Sequence, residues 1–182
     1  IKATIRLDHE RFCLTRDINL LHTALRLTKK MYFQFRTLDE AAALAYLLGN
    51  FCPQTERSRL GLHELFINAV EHGNLEITYN EKSQLMSDNL WENEVLNRLE
   101  NPLYADRIVS VTTEQSPEGL CVIITDQGSG FPFESYLDFS ADRVFDLHGK
   151  GIAMAKNIYL DDLEYLGNGN QVKAFIRSDC LS

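Results

Sequence analysis

The chain has 182 residues, 45% of them hydrophobic and 24% charged, with a net charge of −8 at neutral pH. This composition suits one soluble globular domain with a single sizeable core. It argues against two kinds of partner: nucleic acid, because no basic run exceeds Lys29-Lys30, and membrane, because no apolar run reaches the roughly 18 residues of a spanning helix.

The start, Ile1-Lys2-Ala3-Thr4-Ile5, lacks the apolar core and cleavage site of a signal peptide, and it lacks an initiator Met. It reads as the start of a fragment of a longer protein. Cys13, Cys52, Cys121 and Cys180 share no metal-like or disulfide-like spacing. They point to reduced thiols in a cytoplasmic protein.

Residues 1–30 form an N-terminal segment of ambiguous pattern. Thr4 to Leu14 fits strands, and Ile18 to Leu27 has helical periodicity. A second unit is expected over 31–182. Phe33 to Arg36 alternates as a strand does. Thr37 or Asp39 can cap a helix through Leu48, closed by Gly49-Asn50 and Pro53. A second helix is predicted from about Glu56 to Glu71, stopping at Gly73. Residues 80 to 100 read as helical, with Leu85, Met86, Leu90, Val95, Leu96 and Leu99 on one broad side. Arg107–Thr113 and Leu120–Thr125 read as paired strands around the turn Ser116-Pro117-Glu118-Gly119. Residues 131–148 have no periodicity. A helix is predicted from Gly149 to about Tyr159, then strands Asp162–Tyr165 and Val172–Arg177 around Gly167-Asn168-Gly169-Asn170. The order implies an α+β fold, a two-layer sandwich with helices on one face of a mixed sheet.

Three segments carry the chemistry. In Glu64-Leu65-Phe66-Ile67-Asn68-Ala69-Val70-Glu71-His72-Gly73-Asn74, the residues Glu64, Asn68 and His72 recur at helical spacing and form one polar stripe. Leu62, Phe66, Ala69 and Val70 fall on other sides and suit a core. Asn68 is a poor helix former, so it calls for a role there. In Asp126-Gln127-Gly128-Ser129-Gly130, a carboxylate stands at the mouth of a strand, and Gly128 and Gly130 allow a tight turn and a close approach. In His148-Gly149-Lys150-Gly151, free backbone N–H groups at a helix start make an anion site, and Lys150 adds a charge suited to phosphate. The spacing is neither a P-loop nor a dinucleotide fingerprint.

The type and order of these segments resemble the GHKL ATPase superfamily of gyrase, Hsp90 chaperones, histidine kinases and MutL, and within it the anti-sigma-factor serine/threonine kinases. The resemblance spans roughly residues 35 to 178. It implies the Bergerat ATP-binding fold with a mixed, mostly antiparallel sheet, a helical insertion at 76–105 and a lid at 131–148. It implies ATP and Mg2+ as cofactors. Asn68 would ligate the metal and Glu64 would act as general base. Asp126 would read adenine on the turn of Gly128 and Gly130. His72, His148, Gly149, Lys150 and Gly151 would complete the nucleotide site.

The implied partner is an anti-sigma antagonist, a sigma factor or a domain of the same parent chain. A second copy of the chain is a further candidate. Leu147-His148 stands where relatives carry a lid arginine, with Arg143 or Lys150 as stand-ins. Asn168-Gly169-Asn170-Gln171-Val172 replaces a stretch that bears a threonine beneath adenine. Two alternatives stay open: an ATP-responsive binding module without catalysis, and the catalytic half of a histidine kinase. Trp91, the sole tryptophan, suits either core packing or a docking surface.

Overall fold

The computed structural model describes residues 16, 20, 23–25, 27–133 and 151–178. The expected strands at 4–14 and the lid residues 134–148 lie outside the described residues. So do His148, Gly149, Lys150, Cys13 and Cys180. Residues 23–25, inside the periodic stretch 18–27, are helical.

Five strands build one sheet: β1 (Lys30–Phe35), β2 (Val109–Ser116), β3 (Gly119–Thr125), β4 (Asp162–Leu166) and β5 (Gln171–Arg177). Their order is β1-β2-β3-β5-β4. Where a mixed, mostly antiparallel sheet was expected, each described pairing is antiparallel. The period-2 pattern fixes the register. Phe33 faces Val111, Val111 faces Ile124, Ile124 faces Val172, and Val172 faces Tyr165. One face of the sheet is therefore apolar along this row. The opposite face carries the exposed Tyr32, Glu114 and Lys173.

Helices cover the apolar face. Helix α1 (Leu38–Gly49) starts at Thr37, which closes a capping box with Glu40: the Thr37 hydroxyl accepts from the Glu40 N–H at 3.2 Å, and the Glu40 carboxylate accepts from the Thr37 N–H at 3.0 Å. The cap is Thr37 rather than Asp39. Helix α2 (Thr55–Asn68) continues as a wider π turn over Ala69–Asn74, where Leu75 N–H bonds Val70 O at 2.8 Å. Leu62, Leu65, Phe66 and Val70 are buried against Val109, Val111, Val122 and Ile124 in one core. Phe35 and Phe66 meet at 5.4 Å between ring centroids.

The helical stretch expected over 80–100 is two helices, α3 (Tyr79–Ser87) and α4 (Trp91–Glu100). They break at Asn89, whose φ of 55° no helix allows. Helix α5 (Gly151–Met154) runs on as a π turn, Ala155–Tyr159. It is tied to the start of α2 by Arg57, whose Nε donates to Ile158 O at 2.7 Å and whose Nη2 donates to Leu160 O at 3.2 Å. No described helix is long and apolar enough to cross a membrane.

The cap at Thr37 sets where α1 leaves the sheet edge. Thr37→Ala removes its hydroxyl and should cost about 1 kcal/mol of stability. Denaturant unfolding of the two proteins checks this: the midpoint should fall with an unchanged slope.

Candidate functional site

The site grows from the end of β3. Thr125 closes the strand, and Asp126 follows, its N–H still bonded to Asn170 O at 3.0 Å across the β4–β5 turn. The carboxylate then turns inward and is largely buried, with Oδ1 accepting from Gly128 N–H at 2.8 Å. Its face lies against Gly73. A methyl group at 73 would collide with Asp126 Cγ, Oδ1 and Oδ2, so only glycine fits there. Gly128 approaches Gly73 O just as closely. Gly130, at φ 81°, turns the chain back onto Asn168, whose carbonyl accepts from Phe131 N–H at 2.9 Å. The neighbouring Asn74 is buried, and its side-chain oxygen accepts from Gln127 N–H at 2.8 Å.

The π turn of α2 explains which side chains reach this carboxylate. In continued α geometry, the face below Asn68 would fall between Glu71 and His72. One extra residue per turn moves it to lie between His72 and Gly73. His72 and Gly73 do line the cavity, and Glu71 is turned away from it and fully buried. Of the polar stripe read from the sequence, Asn68 and His72 line the cavity and Glu64 does not.

His72 is locked in place. Its Nδ1 bonds Ile77 O, and its ring lies 3.9 Å from that of Tyr79, centroid to centroid. Burial holds its pKa below the usual 6.5, so the ring is neutral near pH 7, with Nδ1 protonated and Nε2 free of a proton.

The cavity measures about 400 Å³. Its floor is the sheet row Ile124, Val172 and Tyr165, and Asp126 stands at one end. Asn68 lines the wall, and its side-chain nitrogen is buried with no hydrogen-bond partner. An amide desolvated in this way is a group that a ligand would satisfy. Glu64 does not line this space. It lies one turn further back, against the first residue of α5, where a methyl group on Gly151 would collide with Glu64 Oε2 and approach Asn68 Nδ2 at 3.8 Å. Glu64, Asn68 and Gly151 thus converge at one point, where α2 and α5 meet.

Among the described residues, no group of three His, Cys, Asp or Glu side chains is disposed to hold a metal ion. A hard cation near Asn68 would need oxygens supplied by a bound ligand, as Mg2+ on a nucleotide has. The unsatisfied atom of Asn68 is its amide nitrogen, a donor that suits a phosphate oxygen; a cation there would be held by the amide's oxygen together with the ligand's.

Several lining residues were not singled out in the sequence. Tyr165 belongs to the inward row of β4 and is clamped by Phe133, stacked at 5.2 Å, and by Phe131, edge-on at 5.3 Å. Tyr165 alternates with Leu163, so the strand pattern held the signal. Tyr79 carried no such signal, because the break between the π turn and α3 decides its direction. Glu76 sits at the rim with φ 55°, held by Arg107 at 2.8 Å. The stretch after Gly169 places Gln171 under the turn, its amide donating to Thr125 Oγ1 at 2.8 Å.

The comparison with known families agrees with this geometry. The family model described as histidine kinase-like ATPase domain matches residues 34–176. The chain belongs to that family, a GHKL-type ATP-binding domain. A search of curated proteins returns no match.

Desolvation raises the Asp126 pKa from its usual 3.8 to about 6, against the pull of the Gly128 N–H and the Arg107 charge. Between those two values the folded chain holds a proton that the unfolded chain has released. Stability therefore falls as pH rises across that window, and the loss persists above it. Asp126→Asn removes the loss. Its melting temperature should exceed the wild-type value at pH 7, and the gap should shrink steadily as pH is lowered towards 4. Thermal melts across that range test this; a gap constant with pH would show that the carboxyl titrates normally.

Proposed function

We propose that the domain binds Mg2+-ATP in this cavity and acts in signalling as a protein serine/threonine kinase of the anti-sigma-factor type. One observation carries the reading. A single cavity is lined by a largely buried carboxylate on a glycine turn and by an amide whose nitrogen has no partner, close to Gly151. A purine with an exocyclic amine suits the first, and phosphates suit the second.

In this reading Asp126 accepts from the adenine amine, and the apolar floor of Ile124 and Val172 receives the base. Gly128 and Gly130 let the backbone come close enough for that contact. His72 presents its unprotonated Nε2 from the wall. Asn68 holds Mg2+ through its side-chain oxygen. The bound cation supplies positive charge that offsets the phosphates. The Gly151 N–H, with His148, Gly149 and Lys150, completes the phosphate cradle. Glu64 Oε2 takes the proton of the acceptor hydroxyl, within reach of the point where Asn68 and Gly151 converge.

Residues 31–182 form the nucleotide domain, 76–105 its helical insertion and 131–148 its lid, with 1–30 a separate N-terminal segment. The partner is an anti-sigma antagonist, a sigma factor or a domain of the same parent chain in the cytoplasm. A second reading, an ATP-responsive binding module without transfer, is favoured by Leu147-His148 at the place where relatives carry an arginine.

Calorimetry and label transfer separate these readings. Asn68→Ala should bind ATP with no further tightening on adding Mg2+. Glu64→Gln should bind ATP as the wild type does and transfer no labelled phosphate to a partner. Transfer at the wild-type rate would remove Glu64 as base, and absence of transfer in the wild type with every candidate partner would select the binding-module reading.

The ionisation of Asp126 gives a third test. Adenosine is uncharged between pH 5 and 8, so a pH effect on its affinity reports on the protein. Its affinity should weaken as pH falls through about 6, by up to about tenfold per pH unit below that. Asp126→Asn should bind it weakly, with no such dependence.

A further inference from the structure

Glu71 is the one fully buried carboxylate among the described residues, and the proposed chemistry does not use it. Both of its oxygens are occupied. Oε2 takes Lys82 Nζ at 2.5 Å, and Oε1 takes Trp91 Nε1 at 2.8 Å. Lys82 also lies 5.7 Å from the centre of the Trp91 ring. The three residues come from three elements: Glu71 from the π turn of α2, Lys82 from α3 and Trp91 from the first position of α4. The Glu71 carbonyl accepts from Ile77 N–H at 2.9 Å, and the next carbonyl anchor, Ile77 O, holds the His72 ring. One carboxylate thus joins the helix pair to the turn that carries His72 and Gly73. The start of α3 returns the favour by placing Thr78, Tyr79 and Asn80 on the cavity wall.

We infer that Glu71, gripped by Lys82 and Trp91, is a positioning residue for the nucleotide site, and that α3 and α4 form a working wall of it. The inference rests on the reading of the cavity as an adenine-nucleotide site. Glu71 touches no ligand. It acts by holding the π turn in the phase that brings Gly73 onto Asp126 and His72 onto Tyr79. A buried carboxylate needs both partners to be tolerated, so the grip is all-or-none. Trp91 is therefore explained by neither core filling nor docking alone: its ring N–H makes the third side of this joint.

The test uses the whole chain with adenosine and Mg2+-ATP as probes. Glu71→Gln keeps the shape and removes the charge. Glu71→Gln combined with Lys82→Met also removes the lysine charge that the first change leaves unpaired, and serves if the single variant does not fold. Trp91→Phe keeps a ring and deletes one donor. Each variant that folds should bind adenosine about tenfold more weakly, the scale of one lost charge-assisted hydrogen bond.

Fluorescence of the sole tryptophan gives a readout that a remote structural role would not move. Adenosine should shift Trp91 emission in the wild type, and Glu71→Gln should abolish the shift. Folded variants that bind adenosine as tightly as the wild type, or an emission unmoved by saturating adenosine, would overturn the inference. A wild type that binds no adenine nucleotide would overturn the reading of the cavity itself.

Discussion

A carboxylate buried without an ion-pair partner among the described residues sets the terms for everything near it. Asp126 is raised in pKa by desolvation, so the folded chain is less stable for keeping it charged at neutral pH. It is tolerated because its surroundings are built from backbone. The Gly128 N–H and the aspartate's own backbone N–H supply dipoles, and Gly73 supplies an open face without a side chain. Those requirements propagate outward. Gly73 must end its helix at one particular height. The β4–β5 turn must hold Asn168 and Asn170 against the β3 exit. A strained or destabilised group kept at a cavity end marks a site selected for binding rather than for stability.

The second constraint is the phase of α2. A regular helix could present Asn68 to the α5 start or Gly73 to Asp126, but its fixed rotation does not serve both ends of one cavity. The wider turn from Ala69 reconciles them, and α5 widens in the same way at Ala155. A π turn is weaker in itself than α geometry, so it persists where other contacts hold it. Here those contacts come from the helix pair after it. Arg98 bonds Leu75 O at 2.8 Å and also pairs with Glu81 and Glu94, while Arg107 bonds Asn74 O at 2.9 Å. The chain leaving the site helix is thus clamped by two arginines and by the Glu71 joint.

Much of this was legible in the sequence because it is periodic or bears glycine. The apolar, β-branched run Leu120–Thr125 announced β3, while the side that faces the helices, with Leu120, Val122 and Ile124 buried, came from the structure. The turn residues 167–170 located the last hairpin. Thr37 announced α1, although Asp39 was an equal rival until the capping box was seen. Asp126 with Gly128 and Gly130 signalled a tight turn, and the backbone turns there, with Gly73 and Asn168 as its close neighbours. What escaped is what depends on phase and on distant partners. A π turn has no sequence signature, so Glu71 read as one more polar residue on a helix, and its burial was invisible without Lys82 and Trp91 folded over it. Residues 80–100 read as one apolar side; across the break Leu85, Val95 and Leu99 do pack on the core, but Met86, Leu90 and Leu96, read with them, are exposed. Glu64 was grouped with Asn68; it lies outside the cavity Asn68 lines, and its closeness to Gly151 depends on where α5 docks, which Arg57 helps to hold.

The electrostatics of the cavity bind these strands together. Its described lining includes Glu76 and Asp126 and contains no Lys or Arg, and Glu64 stands just behind. The chain as a whole carries −8. A polyanion entering such a place meets like charge on the described walls. Under the proposed reading, the positive charge that meets the phosphates comes from the bound cation and from Lys150, and Asn68 is a neutral oxygen donor of the kind that helps hold a metal ion already carried by phosphates. A wall with lysines would bind free nucleotide tightly whether or not metal was present. Under the proposed reading, the described acidic wall, with Asn68 as the metal's amide, favours the metal complex over the bare anion.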